Sequence, residues 1–171
     1  GTSGQVLTSN GAGALPTFQT PSGGGGSLEG ARVSNSTNIT ITNGAYNTLT
    51  YDTELRDDNN YHSTVTNTSR LTVPSNGWYL IVGHLSIEND TTGTRVLRIR
   101  LNGTSDIAYQ THRPNSLTYE RFSIPCIYYL SAGDYVELEV YQDSGGSMDC
   151  IAETNHGIAF SIMKMSSQKG K

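Results

Sequence analysis

A chain of 171 residues is long enough for one domain of ordinary size with a short appendage. Charged residues make up 15%, against 19 glycines and 10 tyrosines, a profile of many short strands joined by turns that leaves little room for helix. The formal net charge of -4 argues against a protein that grips nucleic acid or an anionic membrane through a basic surface, and no apolar run approaches the roughly 20 residues of a membrane-spanning helix.

Residues 1–20, GTSGQVLTSNGAGALPTFQT, set two short apolar segments around Asn10-Gly11-Ala12-Gly13, a hairpin signal. Such a hairpin is too short to hold its own core, so its apolar residues Val6, Leu7, Leu15 and Phe18 are expected to attach it to something larger or to copies of itself. The opening lacks the charged-then-apolar order of a signal peptide, which leaves localisation to be argued from elsewhere. Over about residues 1–19 the wording resembles a segment found in bacteriophage tail-fibre and other virion-appendage proteins, ahead of a distal domain. The resemblance implies a virion. PSGGGGS, residues 21–27, reads as a flexible linker; without a Gly-Lys-Ser/Thr ending and a following helix it is no phosphate loop.

The domain is expected over residues 28–165, with a polar basic tail over 166–171. Strands are predicted at residues 31–33, 39–41 and 48–51, a polar turn at 57–60, and a weaker strand at 61–65. Residues 70–87, RLTVPSNGWYLIVGHLSI, read as strand, tight turn, strand, with Pro74-Ser75-Asn76-Gly77 as the turn. Alternation places Tyr79, Ile81, Gly83 and Leu85 on one face of the second strand and Trp78, Leu80, Val82 and His84 on the other. Both faces therefore want cover, and one of them requires a second molecule. Residues 96–101 alternate with Leu97, Ile99 and Leu101 inward and Arg98 and Arg100 outward, before a turn at Asn102-Gly103. Pro125 assigns the strand over 122–130 to a sheet edge or a bulge. Val136, Leu138 and Val140 face a core, and the last strand, 156–165, has two uncharged faces and is expected beside 78–85 in an inner sheet.

Eight to ten short strands at regular spacing indicate a β-sandwich. The run Leu71-x5-Gly77-x-Tyr79-x-Ile81, the stretch LSAGDYVEL over 130–138 and the closing Gly157-Ile-Ala-Phe160-Ser-Ile are similar to the C1q-like/tumour-necrosis-factor-like jelly roll, with coverage of about residues 31–165. Leu71 and Ile81 stand where that family carries aromatics, and the upstream spacing around Tyr51 and Asn59 fits only loosely. What the resemblance implies is an all-β, ten-stranded jelly roll that trimerises around a threefold axis, in agreement with the two-faced strands. Trp78, Leu80, Val82, Ala159, Ser161 and Met163 are the expected subunit contacts.

Chemistry is sparse. His62, His84, His112 and His156 stand singly, without metal-ligand spacing, and no nucleophile elbow appears, so no catalytic residue is assigned. Cys126 and Cys150 are separate buried thiols or a disulfide. No cofactor is implied; Asp57, Asp58, Glu88, Asp90, Asp143 and Asp149 offer oxygen ligands for calcium, though in no EF-hand order. Tyr109, His112, Arg113 and Tyr119 cluster between predicted strands as a loop surface suited to glycan or protein. The function expected is a non-enzymatic virion component (head fibre, capsid decoration or tail-fibre tip) with partners in a capsid or tail and on a host surface, and no nucleic acid or membrane. The alternative is a secreted or cell-surface C1q-like module that binds protein or glycan.

Overall fold

The computed structural model describes residues 1–20, 28–114, 119–154 and 157–166. The linker at 21–27 and most of the tail lie outside them. Among the described residues there are strands and no helix, hence none long and apolar enough to cross a membrane. In chain order the strands are β1 (Val6–Thr8), β2 (Thr17–Gln19), β3 (Gly30–Ser34), β4 (Ile39–Ile41), β5 (Tyr46–Thr48), β6 (Thr53–Asp57), β7 (Arg70–Thr72), β8 (Gly77–Ile87), β9 (Arg95–Leu101), β10 (Ser105–His112), β11 (Glu120–Leu130), β12 (Tyr135–Gln142), β13 (Met148–Cys150) and β14 (Ala159–Ser166).

β1 and β2 make a hairpin of their own, with Leu7 opposite Phe18. The rest form two antiparallel sheets. In the first, β8 is paired along its whole length by β11 on one edge; on the other it takes β14 and then, at Ile87, β13. β3 and β6 continue this sheet beyond β14, and β4 continues it beyond β13. In the second, β12 has β9 and then β10 on one side, while β5 and β7 share its other edge end to end. The core lies between the sheets: Tyr79, Ile81 and Leu85 of β8 and Phe160 of β14 meet Ile99 of β9 and Val136, Leu138 and Val140 of β12. Gly83 leaves room for the second sheet, since a Cβ there would meet Leu138 Cδ1.

The alternation of residues 78–85 and their pairing with the last strand are as the sequence predicts, and so is the edge position of Pro125. The β9–β10 turn carries Asn102 and Gly103 at φ 51° and 66°, the positive pair of a type I′ hairpin, closed by Thr104 N–H donating to Leu101 C=O at 3.1 Å. Several expectations fail. Residues 70–87 are not a hairpin: β7 pairs with β12 in one sheet and β8 lies in the other, so the Pro74–Gly77 turn carries the chain across the sandwich. Turn chemistry is the same in both cases. Residues 61–65 form no strand; Tyr61 and His62 are buried from a loop, with the Tyr61 ring 6.4 Å from Tyr79. The strand predicted at 48–51 ends at Thr48, and β6 occupies the segment before the predicted polar turn. Residues 105–112, read as part of a loop region, are the edge strand β10.

Candidate binding faces

One face of the first sheet packs on the core, and the other has no cover among the described residues. Cross-strand partners share a face. Outward lie Trp78, Leu80 and Val82 of β8, opposite Tyr129, Ile127 and Pro125 of β11 on one side and Met163 and Ser161 of β14 on the other. Ala159 belongs to the same face, opposite His84, and is largely buried, whereas the other five predicted contact residues are half-buried. A depression of about 390 Å³ lies here, lined by Gly30, Arg32, Leu55, Leu80, Val82 and Met163 among others. Ile127 and Leu55 are 56% and 60% exposed beside it. The sequence placed six residues on this face, and the structure brings all six together. It missed Leu55, whose strand carries no strong apolar period, and Ile127, which falls on the outward side of a strand whose alternation points Phe122 and Ile124 inward.

The outward face of the second sheet is polar and aromatic. Tyr109 of β10, Arg98 of β9, Glu139 of β12 and Thr48 of β5 form one row across it. Arg98 donates to Glu139 Oε2 from Nε at 2.8 Å and from Nη2 at 2.5 Å, and from Nη1 to Asp106 Oδ2 at 3.1 Å. Arg100 stands 3.4 Å from Asp106 and 3.7 Å from Glu139. The Tyr46 ring covers Arg98, its centroid 3.5 Å from the guanidinium carbon and 5.3 Å from the Tyr141 ring. Its hydroxyl reaches across to Tyr109, 3.5 Å away. Burial, then the hydrogen bond to Tyr109, pushes Tyr46 up to about 12, while the same bond lowers Tyr109.

The recognition set predicted around residues 109–119 is divided. Tyr109 faces outward with Arg98, but His112 pairs with Arg95 and turns to the opposite face, its ring 5.2 Å from Phe122 and its Nε2 3.7 Å from Glu120. Arg113 and Tyr119 are exposed on either side of 115–118, which lie outside the described residues, as does His156. The proposed attachment residues Val6, Leu7, Leu15 and Phe18 are all exposed.

The acidic residues considered as calcium ligands serve turns and strand ends. Asp57 accepts from Tyr61 and His62 N–H, Asp58 from Gly30 N–H and Arg56, Glu88 from Asp149 N–H, Asp90 from Thr92 N–H, Asp143 from Thr94 N–H and Asp149 from Thr40. Among the described residues no three or more His, Cys, Asp or Glu side chains gather as a metal site would require. Cys126 and Cys150 are free, and burial pushes both thiols up, Cys150 to about 12, so neither offers a thiolate near neutral pH.

No protein-family model and no curated protein matches the sequence. Solved structures do. Murine APRIL at pH 5.0 superposes with a TM-score of 0.62 at 11% identity, over 81% of this chain and 100% of that one. The Eiger TNF of S. frugiperda gives 0.53 at 14% identity, over 84% and 96%. The fold is the tumour-necrosis-factor-like jelly roll. At these identities the likeness is one of architecture.

Proposed function

We propose that this jelly roll is the homotrimeric, non-enzymatic display module of a bacteriophage virion appendage, attached through residues 1–20 and exposed on the particle surface. The observation that carries the trimer is the uncovered face of the first sheet, where Trp78, Leu80, Val82, Ile127 and Met163 stand half-buried or exposed in one continuous field. A field of that kind marks an interaction surface rather than a solvated one. Three copies packing these faces around an axis cover it without exposing a new edge. The virion setting is supported by the wording of residues 1–19 and by their form, a separate two-stranded hairpin that presents Val6, Leu7, Leu15 and Phe18 to solvent. A head fibre, a capsid decoration and a tail-fibre tip all suit this arrangement. The non-enzymatic reading is supported by the engaged carboxylates and the protonated thiols.

The fold of APRIL and Eiger favours a second reading, an extracellular binding module built on the same trimer. Deletion separates the two. A chain beginning at Leu28 should fold and trimerise in both cases; on the virion reading it should be missing from purified particles that carry the full chain. Normal incorporation of the shortened chain would overturn the anchoring role of residues 1–20.

A further inference from the structure

The outward face of the second sheet is built more rigidly than a solvated surface requires. β10 and β5 lie at opposite sides of the sheet with β9 and β12 between them, about 14 Å apart at ordinary strand spacing. Yet Tyr109 from one and Tyr46 from the other meet hydroxyl to hydroxyl above Arg98. The floor beneath them is closed: the side chains of Arg98 and Glu139 are 13% and 8% exposed. The roof is open, for Tyr109 remains 56% and Tyr46 39% exposed. Aromatic faces are thus held in fixed orientation and offered to solvent, with their conformational entropy already spent. Asp106, at the end of the floor, keeps an accessible carboxylate beside them.

Charge decides what such a surface fits. Arg98 and Arg100 are balanced by Asp106 and Glu139, so the patch has no net charge. A nucleic acid or an anionic sugar would need uncompensated cations, and a cationic ligand would need the reverse. An apolar peptide would strand the tyrosine hydroxyls and the Asp106 carboxylate without partners. The remaining chemistry is a ring with a C–H face and a rim of neutral hydroxyls: the first stacks on tyrosine, and the second exchanges hydrogen bonds with phenol and carboxylate oxygens.

We infer that the tyrosine-roofed face around Tyr46, Tyr109 and Asp106 binds a neutral pyranose unit of a glycan. It lies on the opposite side of the sandwich from the face assigned to subunit contacts, so both can be occupied together. The inference rests on reading the domain as a displayed binding module, but not on its trimerisation: each copy carries a whole site, and a trimer adds avidity without a new contact. Tyr109 keeps its place from the sequence-predicted set; His112 on the other face of β10 does not take part.

The test is binding of the full chain to immobilised neutral and acidic oligosaccharides, repeated with Tyr109→Phe, Tyr109→Ala, and Leu80→Asp on the far face. Retention of neutral glycans is expected, reduced in part by Tyr109→Phe, which keeps the stacking ring and loses the phenol oxygen, and weakened at least about tenfold by Tyr109→Ala, a loss equivalent to about 1.4 kcal/mol. Circular dichroism and melting of the alanine variant should match the parent, since the ring is exposed. Leu80→Asp alters only the far face and should still retain the same glycans; a folded Leu80→Asp chain that retains none would overturn the inference. The inference is overturned if no neutral glycan is retained, if only acidic ones are, or if folded Tyr109→Ala binds as the parent does.

Discussion

Gly30 lets two strands of the first sheet lie close and Gly83 lets the second sheet approach it, each by lacking a side chain, and the neighbours they admit differ. A Cβ at Gly30 would come within 2.1 Å of the Ile162 carbonyl oxygen, a backbone atom fixed by the β3–β14 ladder. At Gly83 it would meet the methyl ends of Leu138 and Ile124. Backbone in a paired strand cannot step aside without loosening its neighbours, whereas a methyl group can turn at the cost of a poorer rotamer. Gly30→Ala should therefore destabilise the domain by roughly 1–3 kcal/mol, and by more than Gly83→Ala. Urea unfolding of the two variants measures the order. A Gly30→Ala midpoint equal to that of the parent would mean that the two strands slide apart more freely than this packing allows. Gly83 was legible from alternation, which put it with Tyr79, Ile81 and Leu85; Gly30 was not, because the close approach comes from a strand some 130 residues away.

At the scale of elements, what could be read was what each strand carries in itself. β8 and β14 announce their pairing by two faces that carry little charge, Lys164 being the lysine among them, and β9 and β12 by clean alternation. β10 carries polar residues on both faces in Ser105, Asp106, Gln110 and Thr111, so nothing local separates it from a loop. The Tyr46–Arg98–Tyr109 stack was illegible for a different reason: its members come from β5, β9 and β10, and only the sheet order brings them together. A short polar device at the beginning of β6 is likewise nonlocal. Asp52 accepts from Ser36 Oγ at 2.5 Å, Ser36 N–H at 2.8 Å and Thr53 Oγ1 at 2.8 Å, tying the loop after β3 to β6. Burial alone would raise its pKa, but these bonds outweigh that and lower it. A lowered carboxylate pKa gives stability that is full above the unfolded value, about 3.9, and is lost as pH falls through the folded one. Asp52→Asn should accordingly be less stable than the parent at pH 7, with the difference shrinking toward pH 3. Paired urea titrations at the two pH values check this, and a gap that persists at pH 3 would assign the loss to geometry rather than charge.

For the whole molecule, the sandwich solves one half of its burial problem and leaves the other. Facing the second sheet, β8 and β14 bury Tyr79, Ile81, Leu85, Phe160 and Ile162 almost completely. Facing away, Leu80, Val82 and Met163 keep part of their surface, next to the depression that Leu55 and Arg32 border. Covering an aliphatic side chain fully is worth about 1.5–3 kcal/mol against leaving it exposed, so several such residues in one field can sustain an assembly once the cost of association is met. A charge placed at the centre of that field would have to be desolvated on assembly. Leu80→Asp should therefore raise the trimer dissociation constant by at least about tenfold, while leaving the fold intact because the side chain points away from the core. Met163→Asp, directly opposite Leu80 in the ladder, should do the same, and Tyr109→Ala on the other sheet should not. Light scattering over a dilution series, with circular dichroism as the control for folding, reads all three. A parent chain that stays monomeric at micromolar concentration would sink the trimer; a trimer untouched by both aspartates would move the subunit contact off this face and leave its apolar field waiting for a different partner.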